Sequence, residues 1–135
     1  MWTYSQKNRT MSHNGIVFTV TEVNEKNKKV TKTILGYSGR DLGLNNPSMQ
    51  DVPFTGPLPR GKYTIGSPRY VNSTGNYTMP LEPCDGHEMY GRNLFKIHGD
   101  NKKQNFTASE GCIVISLTVR TAIWKSQDLT LEVVE

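Results

Sequence analysis

Short apolar runs broken by polar and turn-forming segments recur along this chain, and their period-two alternation is that of β-strands. Residues 16–20 and 30–35 predict a hairpin around the polar tip 24–29. A strand is predicted over 62–65, after a Pro-Arg-Gly turn, and a weaker one over 79–81. Residues 94–98 and 112–115 give two further strands, and 129–134 a terminal one. Between the last two, Ser116 is placed to cap a short helix over 117–125, with Leu117, Ile123 and Trp124 turned to the core. The stretch 36–61 is rich in turn residues and is expected to wall a cleft.

The pattern therefore predicts a mostly β, single-domain fold over 1–135 with one short helix near the C-terminus. At 135 residues and 35% hydrophobic content the chain can bury one core. It contains no internal repeat, low-complexity tract or apolar stretch long enough to span a bilayer, so no membrane insertion is expected. The net charge of +4 favours anionic partners. The basic residues are scattered, however, and the nearest thing to a basic run, Glu25-Lys26-Asn27-Lys28-Lys29, reads as a solvated hairpin tip, so no nucleic-acid partner is expected. His13, His87 and His98 stand far apart without metal-ligand spacing, and neither a metal nor a cofactor is expected. Four Asn-x-Ser/Thr sequons, at Asn8, Asn72, Asn76 and Asn105, read as coincidence in an asparagine-rich chain.

The residues that carry chemistry lie near the C-terminal end. Phe95-Lys96-Ile97-His98-Gly99-Asp100 ends one strand with a histidine, and Ser109-Glu110-Gly111-Cys112-Ile113 opens the next with a cysteine. Alternation puts Phe95 and Ile97 on one face with Lys96 and His98 on the other; likewise Ile113 and Ile115 oppose Cys112 and Val114. His98 and Cys112 can then face one cleft while the apolar side chains enter the core. A thiol with an ordinary pKa near 8.5 is only a few per cent ionised at neutral pH, and an adjacent imidazole raises its reactivity. Gly111 is read as clearing space for an incoming carbonyl, and the N–H groups of Gly111 and Cys112 as oxyanion donors. The imidazole needs a third group to orient it, and the carbonyl near Gly99 or the carboxylate of Asp100 is available. Ser109 is read first as fixing the loop before the cysteine and second as a substrate donor. These parts suit acyl transfer.

His-Gly followed by Ser-x-Gly-Cys-Ile resembles the active-site signature of L,D-transpeptidases of the YkuD type, peptidoglycan enzymes with a cysteine nucleophile. Together with the Gly56-Pro57-Leu58-Pro59-Arg60-Gly61-Lys62-Tyr63 stretch, the chain more closely resembles the small type VI secretion L,D-transpeptidase effectors. The likeness runs from Met1-Trp2-Thr3-Tyr4 through Gly36-Tyr37-Ser38-Gly39 and Gly86-His87-Glu88-Met89-Tyr90-Gly91-Arg92 to the His98–Cys112 pair. Two positions depart from the wider YkuD pattern: Glu110 stands in place of a second histidine, and Val114 in place of an arginine or asparagine. Both departures fit the effector branch.

The resemblance implies an L,D-transpeptidase-like β-sandwich or barrel in which Cys112 and His98 act on tetrapeptide stems. Terminal D-alanine would be released or exchanged for another D-amino acid. His87, Arg92 and Asp100 are the candidate substrate-binding residues, Arg92 because its planar fork suits a carboxylate, with Arg60 and Tyr37 behind them. The resemblance also implies secretion machinery and a cognate immunity protein as partners, action in the periplasm of target bacteria, and a monomer. Residues 1–6 lack the basic start and apolar core of a signal peptide, in keeping with delivery by a secretion machine. Both cysteines, Cys84 in a Pro-Cys-Asp-Gly turn and Cys112, are expected as free thiols. The rival readings are a different cysteine peptidoglycan hydrolase, against which the His-before-Cys order counts, and a non-catalytic wall-binding module.

Overall fold

The computed structural model describes residues 1–84 and 86–135. Among the described residues, twelve strands and one α-helix follow in the order β1 (Trp2–Ser5), β2 (Thr10–His13), β3 (Ile16–Val17), β4 (Thr19–Val23), β5 (Lys29–Thr33), β6 (Tyr37–Ser38), β7 (Gly61–Ile65), β8 (Arg69–Val71), β9 (Gly75–Pro83), β10 (Lys96–His98), β11 (Ile113–Val114), α1 (Leu117–Ser126) and β12 (Thr130–Val134). Ten strands form one mixed sheet along the path β3-β2-β1-β12-β7-β9-β10-β11-β6, with β8 paired to β9. The fold is mostly β with one short helix near the C-terminus, as the pattern of apolar runs predicted.

Long β9 joins the two halves of the sheet. Its Leu81–Pro83 end pairs antiparallel with β7, and its Met79 and Pro80 pair with Ile97 and Lys96 of β10. β1 runs parallel to β12, so the first and last strands lie side by side. β10 and β11 are also parallel, with Ile97 opposite Ile113 and His98 opposite Val114. Parallel neighbours cannot be joined by a tight turn, and residues 99–112 supply the long crossover.

Alternation decides what is buried. Trp2 and Tyr4 of β1, Tyr63 and Ile65 of β7, and Leu131 and Val133 of β12 enter the core with Met79, Ile97, Ile113 and Ile115. Phe95 joins them, and α1 adds Val119 and Ile123 with Trp124 packed alongside. Leu117 is a correction: it is 53% exposed, because it sits at the helix start on the side away from the sheet. Ser116 precedes the helix in an extended conformation but makes no side-chain capping bond.

The predicted N-terminal hairpin is displaced. Ile16 and Val17 pair with β2, and the hairpin is β4 with β5, detached from the main sheet. At its turn Asn24 Oδ1 accepts from the N–H groups of Lys26 and Lys28. Strands β1, β2, β6 and β8 had no separate signal in the apolar pattern, being two to four residues long. The turn predicted around Cys84 includes Asp85, which lies outside the described residues. Among the described residues no helix is long and apolar enough to cross a membrane.

Candidate active site

β10 ends and β11 begins beside one cavity of about 960 Å³, whose lining includes Lys96, His98, Gly99, Asp100, Glu110 and Cys112. The parallel register fixes this juxtaposition. Stepping back one position from the Ile97–Ile113 pair brings Lys96 alongside Cys112, and His98 follows two residues on, on the same face as Lys96. Ile97 and Ile113 turn the other way into the core, so one alternation supplies both the site and its support.

His98 is almost wholly buried, at 2% exposure, and its Nδ1 lies 2.7 Å from the Gly99 carbonyl oxygen. A carbonyl can only accept, so Nδ1 carries the proton and Nε2 is left as the free base. Burial lowers the imidazole pKa from its ordinary value; the Gly99 bond raises it, and the cations of Arg120 and Lys96 lower it again. Cys112 is partly exposed and unpaired, as is Cys84. Burial pushes the Cys112 thiol up, while the backbone N–H and ammonium of Lys96 pull it down. Both groups therefore rest neutral near pH 7, a thiol facing the same space as a free base.

Ser109 holds the turn before the cysteine. Its hydroxyl accepts from the N–H groups of Gly39 at 2.9 Å and Gly111 at 3.0 Å, and donates to the Cys112 carbonyl at 2.6 Å. The side chain is fully buried and every capacity of the oxygen is used. Ser38 completes the brace: its hydroxyl donates to the Gly111 carbonyl at 2.8 Å and accepts from the Leu58 N–H at 3.0 Å. The Gly111 N–H is thus spent on Ser109, and only the Cys112 N–H remains of the two donors expected for an oxyanion. The reason for glycine at 111 also differs from the expected one. Its φ is +139°, and a Cβ there would lie 2.6 Å from the Phe95 ring and 2.7 Å from Arg92 Nη2. Gly111 makes room for the core beneath it rather than for a ligand above.

Arg92 is where the largest departure lies. Its Nη1 donates to the carbonyls of Gln50 at 2.6 Å and Pro57 at 2.8 Å, and its Nη2 to those of Gly56 and Glu110, each at 3.0 Å. All four terminal N–H groups are committed to backbone, and the guanidinium stacks 5.1 Å from the Phe95 centroid. The fork ties the 50–57 wall to the cysteine loop, which leaves it no donor pair for a carboxylate. His87 stands apart from the cavity: its ring lies against Gly61 and Tyr63, and Nε2 is 2.9 Å from the Lys62 carbonyl oxygen. Arg60 is likewise outside the lining, near the Glu135 carboxylate at 3.6 Å.

Asp100 lines the cavity but does not orient the imidazole. Its Oδ1 accepts from the Tyr37 hydroxyl at 2.7 Å and from the Asn101 N–H at 2.9 Å. Tyr37 also accepts from the Ala108 N–H at 3.1 Å, so one phenol pins both ends of the 100–108 loop. Burial and the bond to Asp100 push that phenol up to about 12, which keeps it a neutral donor.

A family model described as the Tlde1 domain matches residues 32–134. The chain belongs to the Tlde1 domain family. No curated protein and no solved structure matches it. The family is that of type VI secretion L,D-transpeptidase effectors, which modify peptidoglycan. The Tlde1 match takes in all of the cavity lining named above and ends in β12. β1 to β4 and the start of β5 precede it, yet β1 is hydrogen-bonded along β12 and belongs to the same sheet.

Two buried polar residues that brace the strands and loop around the cavity escaped the sequence reading. Arg120 of α1 is 6% exposed; its Nε donates to the Ile115 carbonyl at 3.0 Å, and its Nη1 to those of Asn76 and Tyr77 at 2.9 and 3.0 Å. A charge between Val119 and Ile123, on the buried side of the helix, was the available signal. Ser38 had none, since a serine in a two-residue strand shows its role only through partners distant in sequence.

Proposed function

We propose that this protein is a cysteine L,D-carboxypeptidase and L,D-transpeptidase acting on peptidoglycan, with Cys112 as nucleophile and His98 as base. The observation that carries the proposal is the pairing of β10 with β11, which lines one cavity with a thiol and an imidazole whose outer nitrogen bears no proton. Family membership supplies the substrate class.

In this reading Cys112 Sγ attacks the carbonyl of the third stem residue as its proton passes to His98 Nε2. The Cys112 N–H holds the developing oxyanion. The C–N bond to D-alanine then breaks, and His98 returns the proton to the leaving amine. Water, deprotonated by His98, resolves the thioester to a tripeptide; a free D-amino acid amine resolves it to an exchanged stem. Gly99 serves through its carbonyl, which keeps the imidazolium formed in each step in place. Ser109 and Gly111 shape the loop without touching substrate, and Asp100 offers its second carboxylate oxygen to an amine of the stem. Cognate immunity protein, delivery by the secretion machine and action in the target periplasm follow from the family in the same reading.

The test is incubation of the purified chain with tetrapeptide muropeptides, following D-alanine. Release of D-alanine that is lost in Cys112→Ala and His98→Ala supports the proposal. Cleavage at another bond points to an endopeptidase, and intact substrate to a wall-binding module; either result refutes it.

A further inference from the structure

With Arg92 committed to backbone, the cavity has to meet an anionic substrate through other cations. Three line it: Arg40, Lys96 and Lys102. Arg40 is already beside a carboxylate, its Nε 3.5 Å from Asp41 Oδ2. Lys102 lies exposed in the crossover, four residues past the end of β10, where neither strand fixes its side chain. Lys96 is different. It shares a strand and a face with His98, and the register brings it alongside Cys112. Its ammonium has one hydrogen bond, to the Leu94 carbonyl at 3.3 Å, and among the described residues no carboxylate lies within ion-pair distance. Two of its three donors are free to face the cavity.

The leaving D-alanine carries its carboxylate one carbon from the scissile nitrogen, about 4 Å from the carbonyl under attack. The other free carboxylates of the stem, on the diamino acid side chain and on the γ-linked D-glutamate, are several bonds further away. A cation that recognises the terminal carboxylate must therefore stand next to the nucleophile. Lys96 is the lining cation that the β10–β11 pairing itself sets beside the nucleophile, and its charge is felt by both Cys112 and His98.

Resting on the carboxypeptidase reading above, we infer that Lys96 is the specificity residue that binds the C-terminal carboxylate of the stem and makes the enzyme an exopeptidase. A lysine suits the task as a compact point charge with rotatable donors. The same contact serves exchange, since an incoming free D-amino acid presents the same carboxylate at the same distance from its amine.

The experiment compares tetrapeptide ending in D-alanine with the same peptide ending in D-alaninamide, using wild type, Lys96→Met and Lys96→Arg. The readout is the acid-to-amide ratio of kcat/KM, which cancels any effect of the charge on the thiol itself. Wild type is expected to favour the acid by about 30-fold or more, on the order of 2 kcal/mol for one charge-assisted contact. Lys96→Met is expected to narrow the ratio to within about threefold, with the acid's KM raised, and Lys96→Arg to restore most of it. A ratio that stays wide in Lys96→Met, or that is absent in wild type, overturns the assignment while D-alanine release still stands. Loss of release from both peptides in wild type overturns the carboxypeptidase reading and this inference with it. Thermal melting confirms that each variant is folded before its ratio is read.

Discussion

Replacing Ser109 by alanine isolates the brace beneath the nucleophile. The hydroxyl makes three bonds, to Gly39 N–H at 2.9 Å, Gly111 N–H at 3.0 Å and the Cys112 carbonyl at 2.6 Å, from a side chain with no exposure. Each such bond contributes about 1 kcal/mol net, and each partner left unpaired in the interior costs about 1–3 kcal/mol. Ser109→Ala strands two donors and one acceptor at once, so the expected destabilisation is about 3 kcal/mol, rising toward 5 if no water enters. For a domain of this size that is a fall in Tm of about 10 °C. The assay is urea and thermal unfolding by circular dichroism, paired with D-alanine release at a temperature where the variant is folded. Loss of the brace frees the Cys112 backbone, so kcat is expected to fall at least tenfold with KM little changed. A variant that melts within about 2 °C of wild type, or that keeps kcat while KM alone rises, would refute the reasoning and make the hydroxyl a substrate donor.

Other variants and conditions probe the same construction from different sides. Arg92→Lys is expected to lose about 3 kcal/mol or more by chemical denaturation, since an ammonium cannot satisfy carbonyls of Gln50, Gly56, Pro57 and Glu110 together; a change under 1 kcal/mol would contradict the account. Gly111→Ala forces a Cβ against Phe95 and Arg92 at φ +139°, and a loss of about 2–4 kcal/mol is expected from strain and overpacking, read as a shift in denaturation midpoint. The pH profile follows from the two shifts. His98 takes up its second proton below the ordinary imidazole value and Cys112 loses its proton above the ordinary thiol value, so the reactive one-proton pair persists between them. The kcat/KM for D-alanine release should be flat from about pH 7 to 8.5, falling on the acid side as His98 is protonated and on the alkaline side as the pair is fully deprotonated. A thiolate absorbance at Cys112 that titrates below pH 7 would show a resting ion pair and exclude a neutral one.

Alternation along single strands carried most of what could be read without coordinates. Ile97 and Ile113 inward with His98 and Cys112 opposite needs only the two-residue repeat, and it held in both strands. The same is true of Tyr63 and Ile65 in β7, and of Leu131 and Val133 in β12. The helix start was legible from Ser116 and the run behind it, although not which side Leu117 would face, because that depends on where α1 crosses the sheet. The hairpin was misregistered for a related reason. Ile16 and Val17 are apolar enough to join either neighbour, and pairing with β2 is settled by contacts beyond the local run.

Residue types and local period thus determined a mostly β chain with a histidine-ended strand, a cysteine-opened one and the chemistry those groups can perform. Partnership was decided elsewhere. The parallel β10–β11 register, the use of the Arg92 fork on four carbonyls, the Ser38 bond to the Gly111 carbonyl and the placing of Lys96 beside the thiol all join residues from 16 to 73 positions apart. A side chain's type states what bonds it can make, but only the folded chain states which partners reach it first. For a buried polar group those partners take every donor before a substrate arrives.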